Sequence, residues 1–387
     1  MVGLAVRLRE SGAEVRVCAP PDEEFARLFA DVGVTLIPVG RPVRQVVASV
    51  EPGSALGLAE RAAELIAAQF GPVASAAEGC DALVACGPLP VTAAARSVAE
   101  KLEVRHIHVS HQPVVLPSPY QRPPGRRGRS LSPGVTDNRT LWDEDARNAN
   151  EMFGDAIDTH RAAIGLPPLD NVRDYAFTDR PWLATDPVLS PWRATKLDVV
   201  QTGAWLRPDD RPLPPELVAF LDAGTPPVFV GFGSTPLGAP EDVARAAVEA
   251  LREQGRRVVV SHGWADLPLI DDADDCFAVG EVNHQALFAR TAAVVHHGSA
   301  GTTTTAALAG TPQVVVPQGA DHPYWAGRVS ALGIGVAHDG PTPTAASLSA
   351  ALKTALTPES RVRAEAVSGT IRTDGAATAA RLLFDGI

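Results

Sequence analysis

The C-terminal half of the chain alternates short, β-branched apolar runs with segments of helical periodicity. The apolar runs are VFVGF from residue 228, RRVVVS from 256, AAVVHH from 292 and QVVVP from 313, with helical patterns near 240–254, 284–290 and 301–309. Strands that read as unbroken apolar runs are typical of a parallel sheet with helices on both faces. The pattern therefore predicts a doubly wound α/β domain.

The N-terminal half repeats this alternation more faintly. VGLAVRLRESG at 2–12 predicts a helix, and strands are predicted by AEVRVCAP at 13–20, VTLIPVG at 34–40, DALVACG at 81–87 and VRHIHVSH at 104–111. The predicted fold class is α/β, with two doubly wound Rossmann-like domains. Because open parallel sheets bind ligands beyond the carboxyl ends of their strands, we expect the domains to face each other across a cleft that holds the chemistry.

Proline density marks the domain boundary. Seven prolines lie between residues 181 and 215, and they exclude a long helix there. We predict an N-terminal domain over 1–190, a Pro-rich linker over 191–215, a second domain over 216–370 and a C-terminal helix over 371–387 that packs back on the first domain.

A second proline-rich segment, 112–134, interrupts the first domain after a predicted strand. It carries Arg122, Arg126, Arg127 and Arg129 among Pro and Gly. Binding loops of α/β sheets occupy such positions. The pattern is equally compatible with a loop that faces a substrate and with a plain mobile surface loop.

Charge and cysteine content narrow the possible partners. The 387 residues include 34 Lys and Arg against 45 Asp and Glu, a net charge of -11, which disfavours nucleic acid and anionic membrane surfaces as partners. No apolar run approaches the length of a membrane helix, about 18 residues. The four cysteines form no CxxC pair, which is typical of a reducing compartment, so we expect a cytoplasmic protein.

The most specific chemical motif is AAVVHHGSAGTTTT at 292–305, where a predicted strand ends in two histidines and small residues open a helix. Small side chains let backbone N–H groups and the positive end of a helix approach a phosphate. The motif matches neither GxGxxG nor GxxxxGK[ST]. The segment predicts a diphosphate cradle; the alternative is a helix start whose small residues serve only close packing.

Two further loops follow predicted strands of the same domain. GFGST at 231–235 would place Ser234 beside the cradle, and Asp321 with His322 follows the strand QVVVP. A carboxylate and an imidazole at a strand's carboxyl end could hold sugar hydroxyls. An Asp-His pair before a proline is also a common helix cap.

Together these motifs resemble the donor-binding half of family 1 glycosyltransferases with the GT-B fold, in particular those of vancomycin-type glycopeptide antibiotic biosynthesis. The likeness is carried by SHGWADL at 261–267, GEVNHQALF at 280–288, HHGSAGT at 296–302 and DHPYWAGRVSALGIGVA at 321–337. It continues in segments at 162–191, 200–213 and 370–385, so it covers nearly the whole chain.

The resemblance implies roles for individual residues. It places the base of a nucleotide sugar near Trp264 and Val282 and the sugar at Asp321 and His322, where His322 replaces the Gln usual in the family. It assigns the donor diphosphate to Ser234, His296, His297, Gly298, Ser299, Ala300, Gly301 and Thr302. It implies no cofactor, because the nucleotide sugar is a co-substrate, and no metal, because the family works without the metal-binding DxD motif of other glycosyltransferases. The acidic run at 271–275 precedes a predicted strand and is interpreted as an exposed turn.

The resemblance also concerns the start of the chain. It implies that a strand and a GSRGD-like loop precede the first helix, and that an Asp of this loop deprotonates the acceptor. The sequence begins inside the equivalent of that helix, so we expect a late start, with a damaged copy as the alternative. His111 is a further candidate for the base, although a structural histidine is the simpler interpretation.

We therefore expect an inverting glycosyltransferase that moves a hexose, first of all glucose from UDP-glucose, to a phenolic hydroxyl of a glycopeptide aglycone. A transferase for a dTDP-aminodeoxysugar of the vancosamine type and an inactive donor-binding homologue are the alternatives. The epimerases that share the GT-B fold are disfavoured, because Asp321 alone has motif support as a carboxylate near the sugar.

Overall fold

The computed structural model describes residues 1–48, 58–126, 129–235, 237–264, 266–271 and 273–386, so Arg127 and Asp272 lie outside the described residues. The chain divides into two compact units. Unit 1 comprises Met1–Thr185, Trp192–Arg207 and Thr373–Ile387, and unit 2 comprises Asp186–Pro191 and Pro208–Arg372.

Unit 1 alternates helices and short parallel strands. Its elements are α1 (Val2–Glu10), β1 (Val17–Ala19), α2 (Glu23–Ala30), β2 (Leu36–Pro38), α3 (Val43–Ala48), α4 (Leu58–Ala77), β3 (Ala82–Ala85), α5 (Leu89–Leu102), β4 (Arg105–Ser110), α6 (Asn138–Ala163), α7 (Val172–Phe177), β5 (Trp182–Leu183) and β6 (Val200–Gln201). The predicted N-terminal helix and the four predicted strands are confirmed at α1, β1, β2, β3 and β4.

The strands of unit 1 form two parallel sheets among the described residues. β1 pairs with β2, and the second sheet has the order β3-β4-β5-β6. Helix α1 packs on both, since Ala5 contacts the cluster that contains Val17 and Leu36, while Leu4 belongs to the cluster of Ile107 and Val109.

Unit 2 is a doubly wound domain. Its elements are α8 (Pro215–Asp222), β7 (Val228–Gly231), α9 (Pro240–Arg252), β8 (Val258–Ser261), β9 (Cys276–Val279), α10 (His284–Phe288), β10 (Ala293–His296), α11 (Ala300–Leu308), β11 (Gln313–Val315), α12 (His322–Ala331), β12 (Gly335–Ala337), α13 (Ala345–Ala355) and α14 (Pro358–Ser368). The parallel strands have the order β12-β11-β10-β7-β8-β9.

Apolar packing on both faces explains the unbroken apolar runs of unit 2. Val228 and Val230 point into a core with α9 and α13, while Phe229 between them packs with α10 and α11 on the other face. Every residue of β7, β8 and β10 is buried. Because side chains alternate between faces, a strand covered on both sides must be apolar at every position.

The segment 191–215 differs from the predicted linker. Prolines exclude a long helix there, but residues 192–207 contain none, and this stretch adds the edge strand β6 to the sheet of unit 1. At the C-terminal end of this segment, prolines begin a helix and do not break one, because Pro214 is the N-cap residue of α8 and Pro215 is its first residue. The segment is thus divided between the two units.

The chain ends in α15 (Gly375–Phe384), which belongs to unit 1 and packs on α1. Its apolar face, with Ala379 and Leu383, joins the cluster of Leu4. Gly375 lies against the backbone of Gly203, where a Cβ would come 2.5 Å from the Gly203 carbonyl carbon. Within the described residues, no helix combines the length and the apolar character that crossing a membrane requires.

Candidate functional site

The sheet of unit 2 changes its direction of winding between β7 and β10. These strands are parallel neighbours, with Gly231 opposite His296, so the loops that follow them leave the sheet side by side. A Cβ on Gly233 would lie 3.1 Å from Cε1 of His297, which shows how closely the two loops approach. The carboxyl edge at such a switch point is where doubly wound sheets bind ligands.

The start of α11 forms the centre of this edge. Gly298 has φ +96°, and a Cβ there would lie 2.7 Å from Cγ1 of Val315, so both conformation and space require glycine. The following Ser299 caps α11, and Gly301 is exposed. The first N–H groups of an α-helix have no partner within the helix. The predicted cradle therefore has the geometry that binds an anion.

The hydroxyl of Ser299 is committed to the helix cap. It accepts a hydrogen bond from the Thr302 backbone N–H at 3.3 Å and donates to Thr302 Oγ1 at 3.0 Å. Thr302 Oγ1 acts as the acceptor in this pair, which leaves its own proton for another partner. Of these two hydroxyls, the Thr302 hydroxyl therefore keeps a proton to donate, while the Ser299 hydroxyl is engaged in the cap.

His296 is a structural residue, although its motif predicts contact with the donor. Nδ1 accepts a hydrogen bond from the Gly298 N–H at 3.1 Å, so Nε2 carries the proton and donates to Gln313 Oε1 at 2.9 Å. Complete burial lowers the pKa of His296 to about 4 and keeps the ring neutral. Both nitrogens are engaged inside the protein, so His296 holds the Gly298 turn and has no polar atom left for a donor.

His297 differs from His296 in its hydrogen bonding. It is buried, and no residue that the structure describes makes a hydrogen bond to its Nδ1. Its ring lies 4.9 Å from the ring of His322, and burial lowers its pKa to about 3. A buried nitrogen without a partner costs free energy and is uncommon in native proteins. Nδ1 of His297 is therefore a buried nitrogen at this edge whose hydrogen bond the described residues do not supply.

Asp321 and His322 lie beside His297 on the loop after β11. Asp321 occupies the N-cap position of α12 but makes no side-chain cap bond; its Oδ2 accepts from Trp325 Nε1 at 2.8 Å instead. Nδ1 of His322 accepts from the Gln318 N–H at 3.2 Å, which assigns the proton to Nε2. Burial raises the pKa of Asp321 and lowers the pKa of His322. The helix-cap interpretation of this pair is therefore wrong for the Asp321 side chain.

Strain is concentrated just before this pair. Ala320 has φ +50°, a left-handed conformation that costs a non-glycine residue about 1–2 kcal/mol. Such strain persists where surrounding contacts fix a functional loop.

The predicted base-binding residues lie on the loops after β8 and β9. The Trp264 N–H donates to the Gly233 carbonyl at 2.8 Å and ties the loop after β8 to the loop after β7. The Val282 side chain is buried in the core with Leu287, so only its backbone can face a ligand. Asn283, which the motif analysis did not single out, caps α10 by accepting from the Ala286 N–H at 3.0 Å.

His111, the candidate base in unit 1, is enclosed. Its ring stands edge-on to Trp205 at 5.6 Å and makes a hydrogen bond to the backbone of Ala184. Burial lowers its pKa to about 4, which makes it a poor proton acceptor near neutral pH. The geometry favours the structural interpretation.

The acidic run at 271–275 surrounds an arginine. Asp271 and Asp275 accept hydrogen bonds from Arg252 at 2.7–2.9 Å, and this partner lowers the pKa of Asp271 to about 2. Cys276 lies next to these carboxylates. The two aspartates are thus ion-paired on the surface.

The proline- and arginine-rich loop after β4 is fastened to α6. Arg126 makes a bidentate ion pair with the buried Asp145 at 2.7 and 2.9 Å. Trp142 Nε1 donates to the Gln121 carbonyl at 3.0 Å, and Asn138 Nδ2 to the Pro119 carbonyl at 3.0 Å. At its described positions this loop is therefore fixed, unlike a plain mobile loop.

Comparisons with known proteins identify the family of this chain. The family model of the erythromycin biosynthesis protein CIII-like C-terminal domain matches residues 250–380. Three proteins of Amycolatopsis orientalis are similar over 100% of this chain and 94% of their own length: glycosyltransferase GtfE at 56% identity, vancomycin aglycone glucosyltransferase at 54% and dTDP-epi-vancosaminyltransferase at 51%.

Solved structures share the fold. The glycotransferase of kitacinnamycin is similar with a TM-score of 0.73 and 19% identity, covering 100% of this chain and 94% of that one. Spinosyn forosaminyltransferase SpnP is similar with a TM-score of 0.69 and 18% identity, covering 99% and 95%. The fold is GT-B, with its parallel sheets in two α/β units.

Proposed function

Because the chain belongs to the GT-B glycosyltransferase family that includes vancomycin aglycone glucosyltransferase, we propose that it transfers a hexose from a nucleotide diphosphate sugar to a phenolic hydroxyl of a glycopeptide aglycone. The observation that carries the proposal is the unpaired Nδ1 of buried His297 beside the open N-terminus of α11. A diphosphate fits this edge, because it needs hydrogen-bond donors and positive potential at close range.

The donor diphosphate is proposed to lie on the start of α11. Backbone N–H groups of residues 299–301 face it, Gly298 and Gly301 keep the approach free of side chains, and Thr302 adds a hydroxyl donor. Ser234, exposed on the adjacent loop after β7, adds another. The nucleoside base is proposed to border Trp264 and the backbone of Val282. These contacts need no metal, since helix dipole and N–H groups supply the positive potential.

The transferred sugar is proposed to contact Asp321 and His322. Trp325 orients the Asp321 carboxylate through its indole N–H, so the carboxylate can accept hydrogen bonds from sugar hydroxyls in one fixed geometry. His322 offers the N–H of Nε2 as a neutral donor, because Nδ1 is occupied by the Gln318 N–H.

The reaction is an inverting displacement. The acceptor oxygen forms a bond to the anomeric carbon while the bond from that carbon to the diphosphate oxygen breaks. The helix N-terminus stabilises the charge that develops on the departing diphosphate. The acceptor proton passes to a general base, a role that the family resemblance gives to an Asp carboxylate. With a pKa of about 3, His297 binds the diphosphate as a neutral group and not as a cation.

Two donors are supported by the similar proteins. One relative is named a glucosyltransferase and another a dTDP-epi-vancosaminyltransferase, at nearly equal identity to this chain. We propose UDP-glucose as the first donor and a dTDP-aminodeoxysugar as the second candidate.

The test incubates the protein with vancomycin aglycone and either UDP-glucose or a dTDP-aminodeoxysugar, and follows the acceptor by intact mass spectrometry. We expect a mass gain of one sugar with one of the donors. UDP and dTDP binding, measured separately by calorimetry, distinguishes an inactive donor-binding homologue from an active enzyme. Absence of both transfer and nucleotide binding would refute the proposal.

A further inference from the structure

An exposed aromatic ring lies under a guanidinium in unit 1. Tyr120 is 49% exposed, and the guanidinium carbon of Arg193 lies 3.7 Å from the centre of its ring. Tyr120 belongs to the loop after β4, and Arg193 to the segment after β5. The strands are parallel neighbours, with Ser110 opposite Leu183, so both segments leave the same edge of the sheet. This is the carboxyl edge, where open parallel sheets bind ligands.

The backbone around Tyr120 is fixed at successive positions. Asn138 and Trp142 of α6 donate to the carbonyls of Pro119 and Gln121, the residues on either side, both at 3.0 Å. The N–H of Tyr120 donates to Ser118 Oγ at 3.2 Å. Because the loop is already held in place, stacking of a ligand on the Tyr120 ring costs little conformational entropy of the loop, and this favours binding.

Arg193 differs from other arginines of unit 1. Arg126 and Arg180 form ion pairs with Asp145 and Asp198, whereas Arg193 is exposed and, as far as the described part of the chain extends, has no carboxylate partner. Its guanidinium is in contact with an aromatic face instead. In a chain of net charge -11, a cation left without an ion pair is a site for an anionic group of a ligand.

We propose that Tyr120 and Arg193 form an acceptor-recognition platform, in which the Tyr120 ring stacks on an aromatic ring of the acceptor and the Arg193 guanidinium binds a carboxylate of the same molecule. The inference rests on the proposed function and adds a substrate feature to it: the acceptor carries a free carboxylate near an aromatic ring. One face of the Tyr120 ring lies against the guanidinium, and the exposed remainder is available to the ligand. The two residues determine acceptor affinity and leave donor binding unaffected.

The test measures equilibrium binding of vancomycin aglycone without any donor, by calorimetry, to wild type, Tyr120→Ala and Arg193→Ala. Cation–π and stacking contacts predict a loss of about 5- to 30-fold in affinity for each variant. The carboxamide derivative of the aglycone should bind wild type more weakly by a similar factor and should bind Arg193→Ala no more weakly than the free acid does. Tyr120→Phe should keep wild-type affinity.

Matched controls come from the same unit. Phe384→Ala removes another exposed aromatic ring, and Arg147→Ala removes an exposed cation of α6, outside the loop that carries Tyr120. Both should bind the aglycone as wild type does. UDP binding should be the same in every variant, and thermal unfolding checks that each is folded.

The outcomes separate the two proposals. If folded Tyr120→Ala and Arg193→Ala bind the aglycone like wild type, or if the carboxamide loses as much affinity for Arg193→Ala as for wild type, the platform is refuted even when sugar transfer is observed. If wild type and variants bind as expected but no sugar is transferred, the platform stands and the transferase function fails. If wild type does not bind the aglycone, both fail.

Discussion

His296 and Gln313 are joined by a buried hydrogen bond of 2.9 Å between adjacent strands of unit 2. Because Nε2 of His296 donates to Gln313, Nδ1 is free to accept from the N–H of Gly298. The Gln313 side chain thus fixes the tautomer that shapes the loop entering α11. Neither residue needs to touch a substrate for this pair to determine the geometry of the proposed phosphate site.

Gln313→Met should weaken both stability and donor binding. The substitution keeps the volume but leaves the His296 N–H buried without an acceptor, which costs about 1–3 kcal/mol in the free energy of unfolding. Without Gln313, the His296 proton can move to Nδ1, which then no longer accepts a hydrogen bond from the Gly298 N–H. The Gly298 turn is weakened, so the KM for the nucleotide sugar should rise. Urea unfolding and steady-state kinetics measure the two effects. Gln45→Met, at an exposed position of α3, is the control and should change neither.

Among substitutions that add one methyl group in unit 2, Gly298→Ala should be one of the most destabilising. The new Cβ meets Val315 Cγ1 at 2.7 Å and the backbone is left-handed, so we expect a loss of at least about 2 kcal/mol in unfolding free energy and a large loss of nucleotide affinity. Gly327→Ala is the matched control. Its Cβ meets nothing within 4 Å inside α12, so stability should be unchanged or should rise by up to about 1 kcal/mol. Equal effects of both substitutions would contradict the packing argument.

His297→Leu should separate stability from activity. It removes a buried nitrogen that the described part of the protein leaves without a hydrogen-bond partner, so the free energy of unfolding should stay the same or increase. Loss of one charge-assisted hydrogen bond to the diphosphate should lower kcat/KM by about 10- to 100-fold. Thermal unfolding and initial rates are measured on the same preparation. A variant that is destabilised and fully active would show that His297 serves only packing.

Unit 1 should lose stability in mild acid because of two histidines on β4. His106 and His108 point to the same side of the sheet, toward Arg96 and Phe177, and their ring nitrogens have no hydrogen-bond partner among the described residues. Burial first, and then the charge of Arg96, lowers the pKa of His106 to about 3 and the pKa of His108 to about 4.

The sign of this effect follows from proton binding. Between pH 6.5 and about 4 the unfolded chain holds protons that the folded chain does not, so stability decreases as the pH falls, by up to about 1.4 kcal/mol per pH unit for each histidine. Above pH 6.5 both histidines are neutral in the folded and the unfolded chain, so neither makes the free energy of unfolding depend on pH. His108→Phe should make the difference in unfolding free energy between pH 7 and pH 5 smaller. An unaltered difference would mean that His108 does not titrate as described.

Motif order along the chain was enough to locate the loops that are proposed to bind the donor. The strand-loop-helix at 292–305 and the loops after β7 and β11 are where the apolar runs and small residues predict them. The prediction succeeded because the signal is local. A parallel strand covered on both faces must be apolar throughout, and a tight turn before a helix must be made of small residues.

Other features depended on contacts between distant residues. The motif gave the same predicted role to His296 and His297. Only the pairing of β10 with β11 brings Gln313 next to His296, where its side chain accepts a hydrogen bond from the imidazole. Trp325 lies four residues after Asp321 in the sequence, and the helix-cap alternative for Asp321 would have allowed the two residues to be paired by helical spacing.

The sequence by itself determined the α/β class, the alternation of elements, the family and the loop that starts α11, because each depends on residues that are close along the chain. Tertiary structure alone decided which histidine is free, which hydroxyl is committed to a cap, and that Tyr120 meets Arg193. Those outcomes depend on strand register and on loops from separate strands meeting at one edge, where a hydrogen-bonding group is available only if no neighbour has already satisfied it.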